Sequence, residues 1–130
     1  MRHLYILIAL SSFANLSVAA TFADRVAIAK EIESQKEASD YFFSAFFPSI
    51  APSMGGIMKM CLSRDGANQE KFTLVANVAL SGEIINVDFE PKLNNTAACF
   101  AGEFSTLKAP PPPLCDCGAL PLVINMSVKP

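Results

Sequence analysis

Residues 72–90, FTLVANVALSGEIINVDFE, constrain the fold more than any other stretch of this 130-residue chain. Phe72, Leu74, Ala76, Val78 and Leu80 alternate with Thr73, Val75, Asn77 and Ala79, the period-2 pattern of a strand with one dry face. After Ser81-Gly82 the alternation resumes, with Ile85, Val87 and Phe89 on one side and Asn86, Asp88 and Glu90 on the other. The two runs read as an antiparallel hairpin, with glycine supplying the positive φ of the turn. An isolated two-stranded sheet is marginal in water, so further elements must cover its dry face.

The segments on either side supply that cover. Residues Thr21 to Phe47 carry Phe22, Val26, Ala29, Ile32 and Glu33 at helical spacing. The apolar stripe broadens at Phe42, Phe43, Phe46 and Phe47, an aromatic face that suits either packing on the sheet or a partner groove. Pro48, Pro52 and Gly55-Gly56 then predict a turn and a short second helix from Pro52 to Leu62, with Met54, Ile57, Met58 and Met60 as core filler. Arg64 to Asn68 reads as a polar turn into the hairpin.

Beyond the hairpin, Pro91 ends the second strand and Asn94-Asn95-Thr96 offers an N-cap. Ala97, Phe100, Phe104 and Leu107 share one face of the following helix, which can roof the hairpin. Gly102 weakens that helix and predicts a close approach of backbones there. The run APPPP, 109–113, reads as an extended polyproline connection rather than a ligand for a proline-reading domain. Leu120 to Val128 alternates again and makes a third strand, with Pro121 suited to an edge. The predicted fold class is α+β: a three-stranded antiparallel sheet of hairpin, helix and closing strand, with a helix on one face and an N-terminal helical arm. The expected organisation is a signal peptide over residues 1–20, the arm over 21–60 and the α+β domain over 61–130.

The leader is read from Met1-Arg2-His3, the apolar run Leu4 to Leu10 and the small residues Ser17 to Ala20. That run is far shorter than the roughly 20 residues of a membrane-spanning helix, so no span is expected after cleavage. Removal takes away His3, the one histidine, and with it histidine-based catalysis. It leaves nine basic and twelve acidic residues, a net charge of −3 with no electrostatic case for nucleic acid or an anionic membrane. Neither a neutral-range general base nor a cofactor motif remains, and the expectation is a protein that is not an enzyme and carries no cofactor. Asp88 and Glu90 read as solvated acids on one strand face.

Cys61, Cys99, Cys115 and Cys117 are an even set in a short exported chain, the usual signature of disulfides. Four cysteines allow three pairings. A helix lying across the hairpin brings Cys99 toward Cys61, which favours that bond and leaves Cys115 to Cys117. Cys115-x-Cys117 lacks the further ligands a zinc site needs, and Asp116 disfavours a reactive thiolate, so the expected metal content is none. Asn94-Asn95-Thr96 and Asn125-Met126-Ser127 fit the N-glycosylation triplet, a pattern too short to assign a modification by itself.

VANVALSGEIINVDF, then NNTAACFAGEFSTLKAPPPP, then PLVINMSV together resemble the C-terminal domain of TonB and TolA energy-transducer proteins, in particular their cysteine-bearing relatives, over Cys61 to Pro130. The resemblance implies a non-catalytic protein-binding module of the bacterial envelope that uses the edge of its closing strand, and it carries over no catalytic residue. The chain departs from true transducers in having a cleavable leader and a helical arm in place of a membrane anchor and long spacer, and Cys115-Asp116-Cys117 has no place in the usual pattern. Two function classes follow. One is a periplasmic or secreted binding or scaffold module; the other is a secreted, disulfide-stapled effector, inhibitor or immunity-type protein that seizes one target. Either takes a protein partner, through Val123, Asn125 and Ser127 on the strand edge or through Phe42, Phe43 and Phe46 on the arm.

Overall fold

A computed structural model of the protein describes residues 20–113 and 118–128. Residues 1–19 of the expected leader and the Cys115–Cys117 pair lie outside the described residues. The element order is α1 (Phe22–Glu33), α2 (Lys36–Tyr41), a π-helical turn (Phe42–Phe46), α3 (Phe47–Leu62), β1 (Phe72–Ala79), β2 (Ile84–Glu90), α4 (Asn95–Phe104) and β3 (Ala119–Met126). The three strands form one antiparallel sheet in the order β2-β1-β3, so the protein is α+β as its pattern predicts.

Helices cover both faces of the sheet. Phe72, Leu74, Ala76 and Val78 of β1, with Ile84 of β2 and Leu120, Leu122 and Ile124 of β3, face a core closed by Tyr41, Phe42, Phe46 and Ile50 from the N-terminal helices and by Ala97, Phe100 and Phe104 from α4. The helical arm and the sheet therefore share one hydrophobic core. The opposite face was expected to be wet, yet Val75 on it is 1% exposed, because α1 lies across β3 and β1 there. Phe22, Val26 and Ala29 repeat at i, i+4 and i+7, which gives α1 a narrow stripe sufficient for that contact. Thr21 caps it reciprocally with Asp24.

Three expectations about local structure are corrected. Helix α3 is continuous through Pro52 and Gly55-Gly56, where a turn and a short helix were expected. The bond that Pro52 cannot donate would have gone to the Pro48 carbonyl; both residues are exposed, so water can serve that group. The turn falls earlier, at Ser34-Gln35. Secondly, alternation does not run unbroken along β2. Val75 pairs with Asp88 but Asn77 pairs with Ile85, a bulge that spends an extra β2 residue at Asn86 with φ +54°. The bulge reverses the parity, so Ile84 enters the core while Ile85 is 36% exposed. Leu80, assigned to the dry face, lies in the turn and is exposed. Thirdly, Gly102 is exposed and a β-carbon there would meet nothing within 4 Å, so no backbone approaches it.

The close approach is at Gly82 instead. The Ala109 amide donates to the Gly82 carbonyl at 2.8 Å, and Glu83 bridges to Lys108. The Tyr41 hydroxyl donates to the Pro110 carbonyl at 2.6 Å, so the polyproline run is docked between the hairpin turn and α2 as a strap. On the far side of the hairpin, Asn94 caps α4 by accepting from the Ala97 amide at 3.0 Å. Its amide group donates to the Glu70 carbonyl, while Asn95 and Thr96 both accept from the Asn68 amide. The Asn94-Asn95-Thr96 triplet thus holds the 66–70 loop as well as the helix. Cys61 at the end of α3 is joined to Cys99 of α4, with Cα atoms 5.8 Å apart, as the roofing-helix argument predicts.

Candidate binding surface

β3 is an edge strand whose outer side has no strand partner among the described residues. Its eight residues, ALPLVINM, carry no charge, although charge is the usual protection of an exposed edge. Pairing with β1 is regular from Phe72–Met126 to Ala79–Ala119. Pro121 sits opposite Asn77 and has no amide to give, which places this pair at a position whose backbone groups point away from β1. By alternation Val123 and Asn125 share that orientation, leaving their amides and carbonyls turned outward. The Thr73 hydroxyl donates to Asn125 Oδ1 at 2.9 Å, which fits the short side-chain separation of such non-hydrogen-bonded pairs. Ser127 lies just beyond the strand and is exposed.

The opposite edge differs. β2 is bent by the bulge at Asn86 and carries Asp88 and Glu90, and Asp88 pairs with Lys92. Burial opposes ionisation of Asp88, but the Lys92 ammonium, the Phe89 amide and the nearby Arg25 outweigh it and hold the carboxyl below its usual range. An irregular, charged edge of this kind resists strand addition.

The aromatic arm separates into two parts. Phe42 and Phe46 are 1% and 0% exposed and pack edge-to-face with ring centroids 5.6 Å apart, so they are core residues and not a partner surface, a correction to the groove reading. The π turn, in which the Phe47 amide reaches back to the Phe42 carbonyl, keeps both rings inward. Phe43 remains outside at 63% exposure, with its ring 6.4 Å from that of Phe47. Tyr41, below them, has its phenol pushed up to about 12 by burial.

Two clefts flank α1. One of about 600 Å³ lies at the strand ends, between Phe22, Lys71, Glu90, Asn125 and Ser127. The other, of about 500 Å³, runs between α1 and the sheet, with Arg25 and Ile28 on one wall and Val75, Asn77, Asn86 and Pro121 opposite. Arg25 Nη2 donates to the Asn86 carbonyl at 2.6 Å, anchoring α1 to the bulge. Sequence reasoning did not single out Arg25 or Asn86. A signal for Asn86 was present, since asparagine is among the few residues that tolerate positive φ, but an unbroken alternation hid it.

No helix among the described residues is long and apolar enough to cross a membrane. No family model, no curated protein and no solved structure matches the chain.

Proposed function

We infer that the protein is a non-catalytic, exported protein-binding or scaffold module of the bacterial cell envelope, periplasmic or secreted, whose fold resembles the TonB and TolA C-terminal domains. It takes its protein partner by strand addition along the outer edge of β3. The observation that carries this reading is the contrast between the two sheet edges: β2 is bulged and charged, whereas β3 is regular, uncharged and turns the backbone of Val123 and Asn125 outward. Among the described residues the two buried polar side chains, Asn94 and Thr96, are engaged in holding α4 and the 66–70 loop, which fits a binding role better than a catalytic one. The disulfide between Cys61 and Cys99 fits an oxidising compartment.

The test uses a photo-crosslinking residue at Val123 in intact producing cells, with a control at exposed Ala98 on α4. A specific adduct at Val123, absent at Ala98 and lost when Asn125→Pro is added, is the expected result. Proline at Asn125 removes an outward amide and leaves the β1 ladder intact, as Pro121 already does four residues earlier in the same strand. Persistence of the adduct in a folded Asn125→Pro protein would exclude strand addition here, and adducts at a crosslinker on Phe43 alone would move the contact to the arm.

A further inference from the structure

The cleft between α1 and the sheet is a feature separate from the outward backbone of β3, although Pro121 and Leu122 of that strand help to line it. Its apolar lining is Ile28, Val75 and Pro121, and its polar groups are the Arg25 guanidinium and the Asn77 and Asn86 carboxamides. Arg25 is half-buried, and its side chain makes one hydrogen bond among the described residues, to the Asn86 carbonyl. A guanidinium has five N–H donors in a planar fork, so most of its capacity faces the cleft or solvent. Asp88 lies close enough to feel the Arg25 charge, but its ion pair is with Lys92, and Arg25 makes no salt bridge among the described residues. Asn86 holds φ +54° at the bulge, a conformation uncommon for a residue other than glycine, and bulges of this kind recur beside binding sites.

A volume of about 500 Å³ lies within the range of small-molecule sites, which pair apolar walls with a few fixed polar groups. From the cation at one wall and the aliphatic lining around it, we propose that this cleft binds a small monocarboxylate with an apolar chain, its carboxylate on Arg25 and its chain along Ile28, Val75 and Pro121. A carboxylate is the complement of a guanidinium whose fork the described residues satisfy with one bond, and the two carboxamides add neutral donors without repelling it.

The probe is decanoate below its micelle concentration, titrated into the protein while backbone amide shifts are followed, with decanol and acetate as comparisons. Saturable shifts confined to Val75, Asn77, Asn86 and α1 are expected with decanoate, with affinity at least about tenfold weaker for decanol because the charge-assisted bond is lost. Acetate lacks the chain and should give no saturable shift. Arg25→Gln should weaken decanoate at least about tenfold, and Arg25→Lys should restore part of it. Since Arg25 also anchors α1, Ile28→Glu is the second variant: Ile28 is 47% exposed, so the fold tolerates the change while an acid beside the carboxylate path blocks the site. Shifts that do not saturate, that spread over the surface, or that persist unchanged in Ile28→Glu would each overturn the assignment.

Discussion

A methyl group added at Gly82 would stand 2.0 Å from the Ala109 carbonyl oxygen, in a turn whose φ of +93° already disfavours any side chain. The obstacle is backbone, and that backbone is fixed by the hydrogen bond from Ala109 to Gly82, so it cannot yield cheaply. Gly82→Ala is expected to destabilise the protein by about 3 kcal/mol or more, read as a fall in the urea midpoint. Gly102→Ala should do the reverse, gaining about 1 kcal/mol, because the position is helical and open on all sides. Equal effects at the two sites would mean that the strap is not docked on the hairpin turn. Tyr41 tests the other end of the strap. Its phenol pKa is raised from 10.0 to about 12, so the folded state favours the neutral form. That contribution is complete below pH 10 and is lost as pH climbs toward 12, when the unfolded chain ionises first. Unfolding midpoints followed upward from neutral pH should fall in this window and should fall less in Tyr41→Phe.

At the scale of elements, what could be read from the chain depended on whether the deciding interaction was local. The hairpin, α4 and β3 declare themselves by periodicity, and the Asn94 cap by residue type, because each is stabilised mainly by which of its own side chains are apolar. The Cys61–Cys99 bond followed from the placement of α4 over the hairpin. It closes a separation of 38 residues, and its replacement by a Cys61→Ala, Cys99→Ala pair should cost about 4 kcal/mol in the chain-entropy model, measurable by urea unfolding of the oxidised parent beside the variant. Local signals misled where tertiary packing overrode them. Pro52 and Gly55-Gly56 predict a break, yet Ile50 and Cys61 are anchored in the core on either side and hold α3 continuous. The parity of β2 was lost only at its start, because the extra residue at Asn86 puts Ile84, and not Ile85, on the same face as Val87 and Phe89. The edge position of β3 was legible through Pro121 and the alternation of Val123, Asn125 and Ser127, whereas the α1 cleft was not, since nothing in residues 21–33 says on which face of the sheet they will lie.

Across the whole molecule the two faces of the sheet are unequally held. The α4 face carries the continuous core, with Phe100 and Phe104 buried completely and a disulfide joining α3 to α4. The α1 face buries Ala29 and Val75, and a polar link there is the Arg25 bond to Asn86, while Ile28 remains half in solvent. Neither Ala29 nor Val75 belongs to the main core cluster. Local opening free energies follow buried apolar contact, so α1 should detach in a step that leaves the rest of the protein folded. Native-state amide exchange provides the measure. Amides of α1 are expected to exchange through a low-energy opening that barely depends on denaturant, whereas those of α4 and β1 should require an opening close to global unfolding. Arg25→Gln should speed exchange in α1 and leave α4 unchanged, because the bond from its side chain to the Asn86 carbonyl joins α1 to β2. Exchange of α1 and α4 as a single cooperative unit would show that the two faces are coupled through the sheet, and would make the α1 cleft a fixed part of the fold instead of one that opens.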